Sequence, residues 1–334
     1  MIQYFAHRLV WSMGVIIGVT LLTFVITNLI PADPAVVAAG PNANREQVEQ
    51  LRREMGLDRP LPVQYLAYVA RLAHGDFGRS SRTQRPVVED LVLYFPATVE
   101  LAAVAMFMYV VIGVPAGIIA AVRSKSALDK GLQFVSVLGL ATPAFSLALL
   151  LQFVFFFHLR WLPAVGRLDV GMTPPPHMTG LYTVDSLLSG NWATLVSALS
   201  HLVLPALTLT LTGLANVVRI TRRSMLTVLW QDYVRTARAK GLSHRAVTYR
   251  HALRNALFPI VTIIGLQAGF LMSGTVLIEV IFSWPGMGTY VVDSIANVDF
   301  QPIISATLVI ALSFLLVNFV VDMSYLMIDP RVKY

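Results

Sequence analysis

The sequence predicts an all-α polytopic membrane protein, and three observations carry that expectation. Of its 334 residues, 56% are apolar and only 13% charged, where a soluble chain has about 45–50% and about 25%. The mean hydropathy is +0.68. The apolar residues gather in six stretches of roughly the 20 residues that a helix needs to cross a bilayer. Disorder is excluded, because it requires few apolar residues and many charges. A soluble enzyme is disfavoured by long runs without charge. With no cysteine, the chain can build no disulfide, thiol nucleophile or Cys-ligated metal site.

Taken in order, the expected spans are Leu9–Ile30, Thr98–Val122, Leu132–His158, Leu199–Val218, Ile260–Ile281 and Ile303–Met327. Pro143 interrupts the third and Pro205 the fourth, which membrane helices tolerate when neighbours satisfy the freed carbonyl. The first stretch is too long for the 7–15-residue core of a signal peptide and has no A-x-A site just after it, so it is expected to be an uncleaved helix. Orientation follows from Lys and Arg in the loops. Fifteen lie in the N-terminus, the second-to-third and fourth-to-fifth loops and the tail; on the opposite side the third-to-fourth loop has only Arg160 and Arg167, and the fifth-to-sixth loop none. Both termini are therefore expected in the cytoplasm.

Residues 31–97 read as a small external domain. Within it Asn44–Met55 predicts a helix with Val48, Leu51 and Met55 on one face and Gly56 as its stop, and Leu61–Leu72 predicts a second. Trp161–Ala198 is external, with irregular structure and short helices. The cytoplasmic loop 219–259 is unusual, with nine basic residues against one acid, Asp232. Contact with anionic lipid explains such a loop in general. Its pattern is more specific. Asp232–Lys240 favours a helix, Gly241 suits the left-handed position that ends one, and Ser243 can cap a new helix from His244 that Asn255 and Pro259 close. Helix, glycine turn and helix make a rigid knob suited to a partner's surface.

Those residues resemble a known family. DYVRTARAKGL (232–242), followed by RHALRNA (250–256), is similar to the cytoplasmic coupling loop of ATP-binding-cassette importer permeases of the dipeptide/oligopeptide/nickel group. The general pattern is Glu-Ala-Ala, three residues, Gly, then Leu-Pro. Here Arg235, Thr236 and Ala237 form the triplet, followed by Gly241 and Phe258-Pro259, with Arg235 in place of the glutamate. The resemblance extends through IPADP (30–34), GLDRPL (56–61), GDFGRS (75–80), FSWPGMG (282–288) and DPR (329–331).

The resemblance implies a type I importer permease fold: a first helix (1–30), an external domain (31–97), a core of five helices (98–327) containing the coupling loop (219–259), and a cytoplasmic tail (328–334). It implies that Tyr233, Arg235, Thr236, Ala237, Arg238, Ala239, Lys240, Gly241 and Leu242 engage an ATPase subunit. It further implies two ATPases (or one fused or duplicated), a second related permease, and an extracytoplasmic binding protein docking near the external domain and Phe282, Trp284, Pro285 and Gly286. ATP and Mg would be bound by the partners. This chain has no G-x-x-x-x-G-K-[ST] phosphate loop, and no catalytic residue is expected. Dipeptides or short oligopeptides are the implied solute, with glutathione, nickel chelates and opine-like solutes as alternatives.

Read directly from the residues, Gln267, Thr212 and Asn216 are candidates to line a polar path, or else to bond between and within helices. Glu279 is expected in a salt bridge, with substrate steering or orientation of the 282–288 loop as the alternatives. Trp161 and Trp284 fit an interfacial aromatic belt. The G-x-x-x-G stripes Gly113/Gly117 and Gly265/Gly269 suit close packing, either within this bundle or against a second one. No histidine pair has metal-site spacing. A self-sufficient secondary transporter is the different-class alternative, but the central thirds of the spans lack the ionisable residues that ion coupling uses.

Overall fold

A computed structural model describes residues 2–29, 35–36, 44–54 and 56–328. Among these the structure is helical. In chain order the elements are α1 (Ile2–Leu29), α2 (Arg45–Glu54), α3 (Leu61–Ala73), α4 (Val87–Val122), α5 (Ala127–Ala141), α6 (Ala144–His158) and α7 (Tyr182–Leu188). They continue with α8 (Trp192–Leu229), α9 (Asp232–Ala239), α10 (Arg254–Gly274), α11 (Val276–Ile281), α12 (Met287–Ala296) and α13 (Phe300–Ile328). Three segments are π-helical: Tyr109–Gly113 inside α4, Gln152–His158 at the end of α6, and Ala246–Leu253 leading into α10. The chain divides into two compact units, Met1–Phe95 with Tyr290–Ser313, and Pro96–Thr289 with Phe314–Tyr334.

In the first unit α2 opens with a capping box. Asn44 Oδ1 accepts from the Gln47 amide at 2.8 Å and Gln47 Oε1 accepts from the Asn44 amide at 3.0 Å, satisfying two donors at the helix start. Gly56, at φ +67°, follows the helix as expected; Met55 lies outside the described residues. α3 lies against α1 through polar contacts: the Tyr65 and Tyr68 hydroxyls meet Thr20 and Thr23 at 3.0 and 3.1 Å. Asp299 accepts from the Ser80 and Ser81 hydroxyls at 2.5 and 2.9 Å, so the GDFGRS stretch is tied to the turn before α13.

The second unit is organised on α8, which packs against α4, α5, α7 and α10. Asn191 caps it by accepting from the Thr194 amide at 3.1 Å. Its approach to α4 and α5 depends on glycine. A Cβ on Gly117 would stand 2.5 Å from Thr221 Cβ, and one on Gly139 2.5 Å from the Leu211 carbonyl oxygen. Gly113 faces Val217 and Leu214, while Gly265 and Gly269 face Val321 and Phe314. Both G-x-x-x-G stripes are thus filled by this chain's own side chains.

Several span boundaries differ from expectation. The fourth helix is not Leu199–Val218 but 38 residues from Trp192 to Leu229, because nothing after Val218 stops a helix and Arg219, Arg222 and Arg223 are good helix formers. The third is broken: α5 and α6 meet at 108°, with Thr142 and Pro143 both extended (ψ 125° and 138°), the conformation that a proline favours in its predecessor. Asn255 and Pro259 do not close a helix; Pro259 lies inside α10. Four helices among the described residues are long and apolar enough to cross a membrane, the bent pair would make a fifth, and the apolar part of α1 is Val10–Ile26. Ile30–Pro34 and Asp329–Arg331 lie outside the described residues.

Candidate functional site

The basic loop folds as a knob. α9 buries Val234 and Ala237, one turn apart, against Val247 together with Val228 and Leu229 from the end of α8. The helix then ends in a Schellman motif. Gly241 has φ +76°, its amide donates to the Arg238 carbonyl at 2.9 Å, and the Leu242 amide donates to the Ala237 carbonyl at 3.4 Å. This is the left-handed stop expected of Gly241. Ser243 Oγ accepts from the Ala246 amide at 3.3 Å, capping the segment that begins at His244. Tyr233 is held on its outer side, where its hydroxyl accepts from Asn255 Nδ2 at 2.8 Å.

With one face buried, the other is presented. Tyr233, Arg235, Thr236, Arg238, Ala239, Lys240, Gly241 and Leu242 are exposed, and Ala237 alone of the expected residues points inward. The Arg235–Asp232 pair at 3.6 Å is exposed on both sides and contributes little. Val234, the fully buried anchor of the knob, escaped sequence reading. Its spacing of three from Ala237 is the signal that locates the inner face.

The helix that carries the knob is fixed by an ion pair, not anticipated from the sequence, between buried Asp129 and half-buried Arg222. Asp129 accepts from Arg222 Nε and Nη2, both at 2.7 Å, from Gln133 Nε2 at 2.7 Å and from the Lys125 amide at 2.8 Å. Such a forked geometry is the strong form of the Arg–carboxylate contact. It ties the start of α5 to α8 two turns before the knob.

The FSWPGMG stretch is organised from below. Glu279 makes no salt bridge among the described residues. It is fully buried and accepts from the Thr98 and Thr275 hydroxyls at 2.8 and 2.9 Å and from the Gly288 and Thr289 amides at 2.6 and 3.2 Å. Thr98 Oγ1 also accepts from the Met287 amide at 2.7 Å. Four donors to one carboxylate replace the expected cation, so Glu279 orients the loop. Trp284 is not interfacial either: it is 1% exposed and its indole N–H donates to the Ala97 carbonyl at 2.8 Å. Phe282 and Gly286 are buried as well, which leaves Ser283 and Pro285 as the outward residues. Trp161 is exposed, as a belt residue would be.

Behind this loop Arg167 donates to Glu100 at 2.6 Å and to the Gly180 carbonyl at 3.0 Å, with the Tyr182 ring 3.5 Å from its guanidinium carbon. Glu100 also accepts from the Thr183 amide and hydroxyl, both at 2.7 Å. The neighbouring turn is pinned by Asp185, which accepts from the Thr179 amide and hydroxyl and the Gly180 amide at 2.8–2.9 Å. Burial raises the Asp185 pKa, but these hydrogen bonds together outweigh it and the carboxyl sits below its ordinary value.

Of the candidate path residues, Gln267 is buried and donates to the Gly213 carbonyl at 3.3 Å and to the Tyr109 hydroxyl at 3.5 Å. It joins α10 to α8 and α4. Thr212 bonds back to the Leu209 carbonyl at 2.7 Å and, like Asn216, is half-buried.

Comparison with known proteins gives these features a context. Residues 113–334 match the model for "Binding-protein-dependent transport system inner membrane component", and residues 1–102 match the corresponding N-terminal model. The chain is 47% identical over 323 residues to the probable D,D-dipeptide transport system permease protein DdpB of Escherichia coli (strain K12), covering 96% of this chain and 95% of that one. It is 43% identical to the dipeptide transport system permease protein DppB of Alkalihalophilus pseudofirmus, with both chains covered in full. It is 44% identical to the di/tripeptide transport system permease protein DppB of Pseudomonas aeruginosa, covering 100% of this chain and 99% of that one. With both matched segments together reaching nearly every residue, this chain belongs to the family of binding-protein-dependent transport system inner membrane components.

Proposed function

We propose that the chain is the permease subunit of an ATP-driven importer for dipeptides or short oligopeptides, spanning the cytoplasmic membrane six times with both termini inside. The observation that carries this reading is the knob. α9 is clamped on one face by Val234 and Ala237 and presents its other face exposed, at the end of a helix running through the core of its unit. That construction passes displacement between a soluble partner and a bundle, and it supports docking of residues 233–242 in an ATPase subunit. ATP and Mg belong to that partner, consistent with the absence of a phosphate loop here. A second related permease would complete the path, with Thr212 and Asn216 as its half-exposed polar positions on α8. An extracytoplasmic binding protein would select the solute, with the external segment and the outward Ser283 and Pro285 as its docking positions. The peptide class is supported by the names of the three relatives above.

Mild-detergent capture of the tagged chain from its native membranes, read by mass spectrometry, tests the assembly. Co-recovery of ATPase subunits and a second six-span chain is the expected result. Recovery of the chain alone in several detergents at low salt would overturn it. Reconstituting the captured complex with its binding protein and labelled dipeptides then tests the solute; ATP-dependent uptake of nickel chelates or glutathione but not dipeptides would replace the peptide assignment.

A further inference from the structure

Between α5 and α8 lies a cleft of about 300 Å³ whose walls are Val137, Ala215, Val218 and Leu226 together with Gln133, Ser136 and Thr227, and whose rim carries Arg219, Arg222 and Arg223. The three arginines are not equivalent. Arg222 spends its charge on Asp129 through two 2.7 Å hydrogen bonds. Asp129 is in turn saturated by Gln133 and the Lys125 amide, so it has no capacity left for a second guanidinium. Arg219 and Arg223, one turn apart, are exposed and make no ion pair among the described residues. The cleft therefore carries two uncompensated fork-shaped cations over a mainly apolar trough.

The position of the cleft limits what can fill it. α8 has no Lys, Arg, Asp or Glu up to Val218 and is basic from Arg219, so the arginines mark the level at which the helix leaves hydrocarbon. A ligand there meets apolar walls on the hydrocarbon side and guanidinium groups on the aqueous side. A free inorganic anion would satisfy the cations but not the trough, and an apolar chain the trough but not the cations. An acidic phospholipid has both parts in the right order, and guanidinium groups match phosphodiester oxygens in forked geometry. Basic pockets between spans at the headgroup level suit such lipids.

We propose that this cleft is a binding site for one acidic phospholipid, its phosphodiester held by Arg219 and Arg223 and an acyl chain laid along Val137, Val218 and Leu226. Because the site ends at Thr227, five residues before α9, occupancy bears on the helix that carries the knob.

Native mass spectrometry of the full-length chain in a neutral detergent, titrated with phosphatidylglycerol or phosphatidylcholine, tests the site. The wild-type chain is expected to retain one tight phosphatidylglycerol and no comparable phosphatidylcholine. R219Q/R223Q should weaken that binding roughly 30-fold, equivalent to about 2 kcal/mol, and R219K/R223K by less. R245Q/R250Q, which removes two exposed cations of the same loop outside the cleft, should leave it within about twofold. Equal loss in R245Q/R250Q would overturn the proposal in favour of diffuse attraction to the basic loop. Displacement of the lipid by millimolar inorganic phosphate would overturn it in favour of an anion site. Both glutamine positions are exposed, and an unchanged thermal midpoint confirms that the variants fold.

Discussion

At the residue scale, the sharpest consequences fall on positions where one atom has no substitute. Gly241 has open space around it but φ +76°, so any cost of a side chain there is conformational. Gly241→Val should destabilise the turn by about 1–2 kcal/mol and lower the ratio of transport to ATP hydrolysis in the reconstituted complex, whereas Gly241→Asn, which tolerates the left-handed region, should keep most of it. Glu279→Ala strands the Thr98 and Thr275 hydroxyls and the Gly288 and Thr289 amides. A loss of about 3 kcal/mol or more follows if even two remain unsatisfied, read as a lower thermal midpoint of the detergent-solubilised chain. Asp185 sets a pH dependence. Its pKa is lowered in the fold, so it contributes stability above the unfolded aspartate value of about 3.9, and that contribution is lost as pH falls through the folded value. Hydrogen exchange of residues 178–189 should accelerate on acidification below about pH 4, and Asp185→Asn should remove that dependence. The Gly241 turn was legible because its chemistry is local. Glu279 was misread because its donors, Thr98 and the 288–289 amides, are brought to it by folding and not by neighbourhood in sequence.

At the element scale, close helix approach rests on missing side chains. Gly117→Leu and Gly139→Leu should each cost about 1–3 kcal/mol or more by forcing α4 or α5 off α8, seen as reduced yield and thermal midpoint. Gly14→Ala and Gly18→Ala on α1, where nothing lies within 4 Å, should be neutral. Apolar runs located α1, α4, α8, α10 and α13, because hydrophobic length is a property of each segment alone. Helix ends were less legible. α8 continued past its apolar stretch since arginine is a good helix former, and Pro259 failed to end α10 since membrane helices tolerate an interior proline. Pro143 did act as written in the sequence, for its effect on Thr142 is purely local.

At the scale of the whole molecule, the natural absence of cysteine makes orientation directly measurable. Ser283 and Arg238 are both exposed, and S283C and R238C would each carry the only thiol. In intact cells an impermeant maleimide should label S283C, and R238C only after permeabilisation. The reverse pattern would invert the proposed topology. Membrane class and knob were legible because composition and local turn chemistry survive without knowledge of packing. The ion pairs Arg222–Asp129 and Arg167–Glu100 were not, since each joins residues 67 or more positions apart and only the fold selects the partner.

The length of α8 has a further consequence. Thirty-eight residues at 1.5 Å each make a rod of roughly 57 Å, against a hydrocarbon layer of about 30 Å. Every contact along it is indexed to one screw: Gly213 to Gln267, Thr221 to Gly117, Arg222 to Asp129, Val228 to the knob. One residue inserted after Gly213 would turn everything beyond by about 100°, taking Thr221, Arg222 and Val228 off their partners together. Substitution along α8 is negotiable position by position, but its residue count is not. Extra chain belongs instead in the irregular stretch around Pro174–Pro176, where a tag or insertion should leave folding and assembly intact while the same insertion in α8 abolishes both.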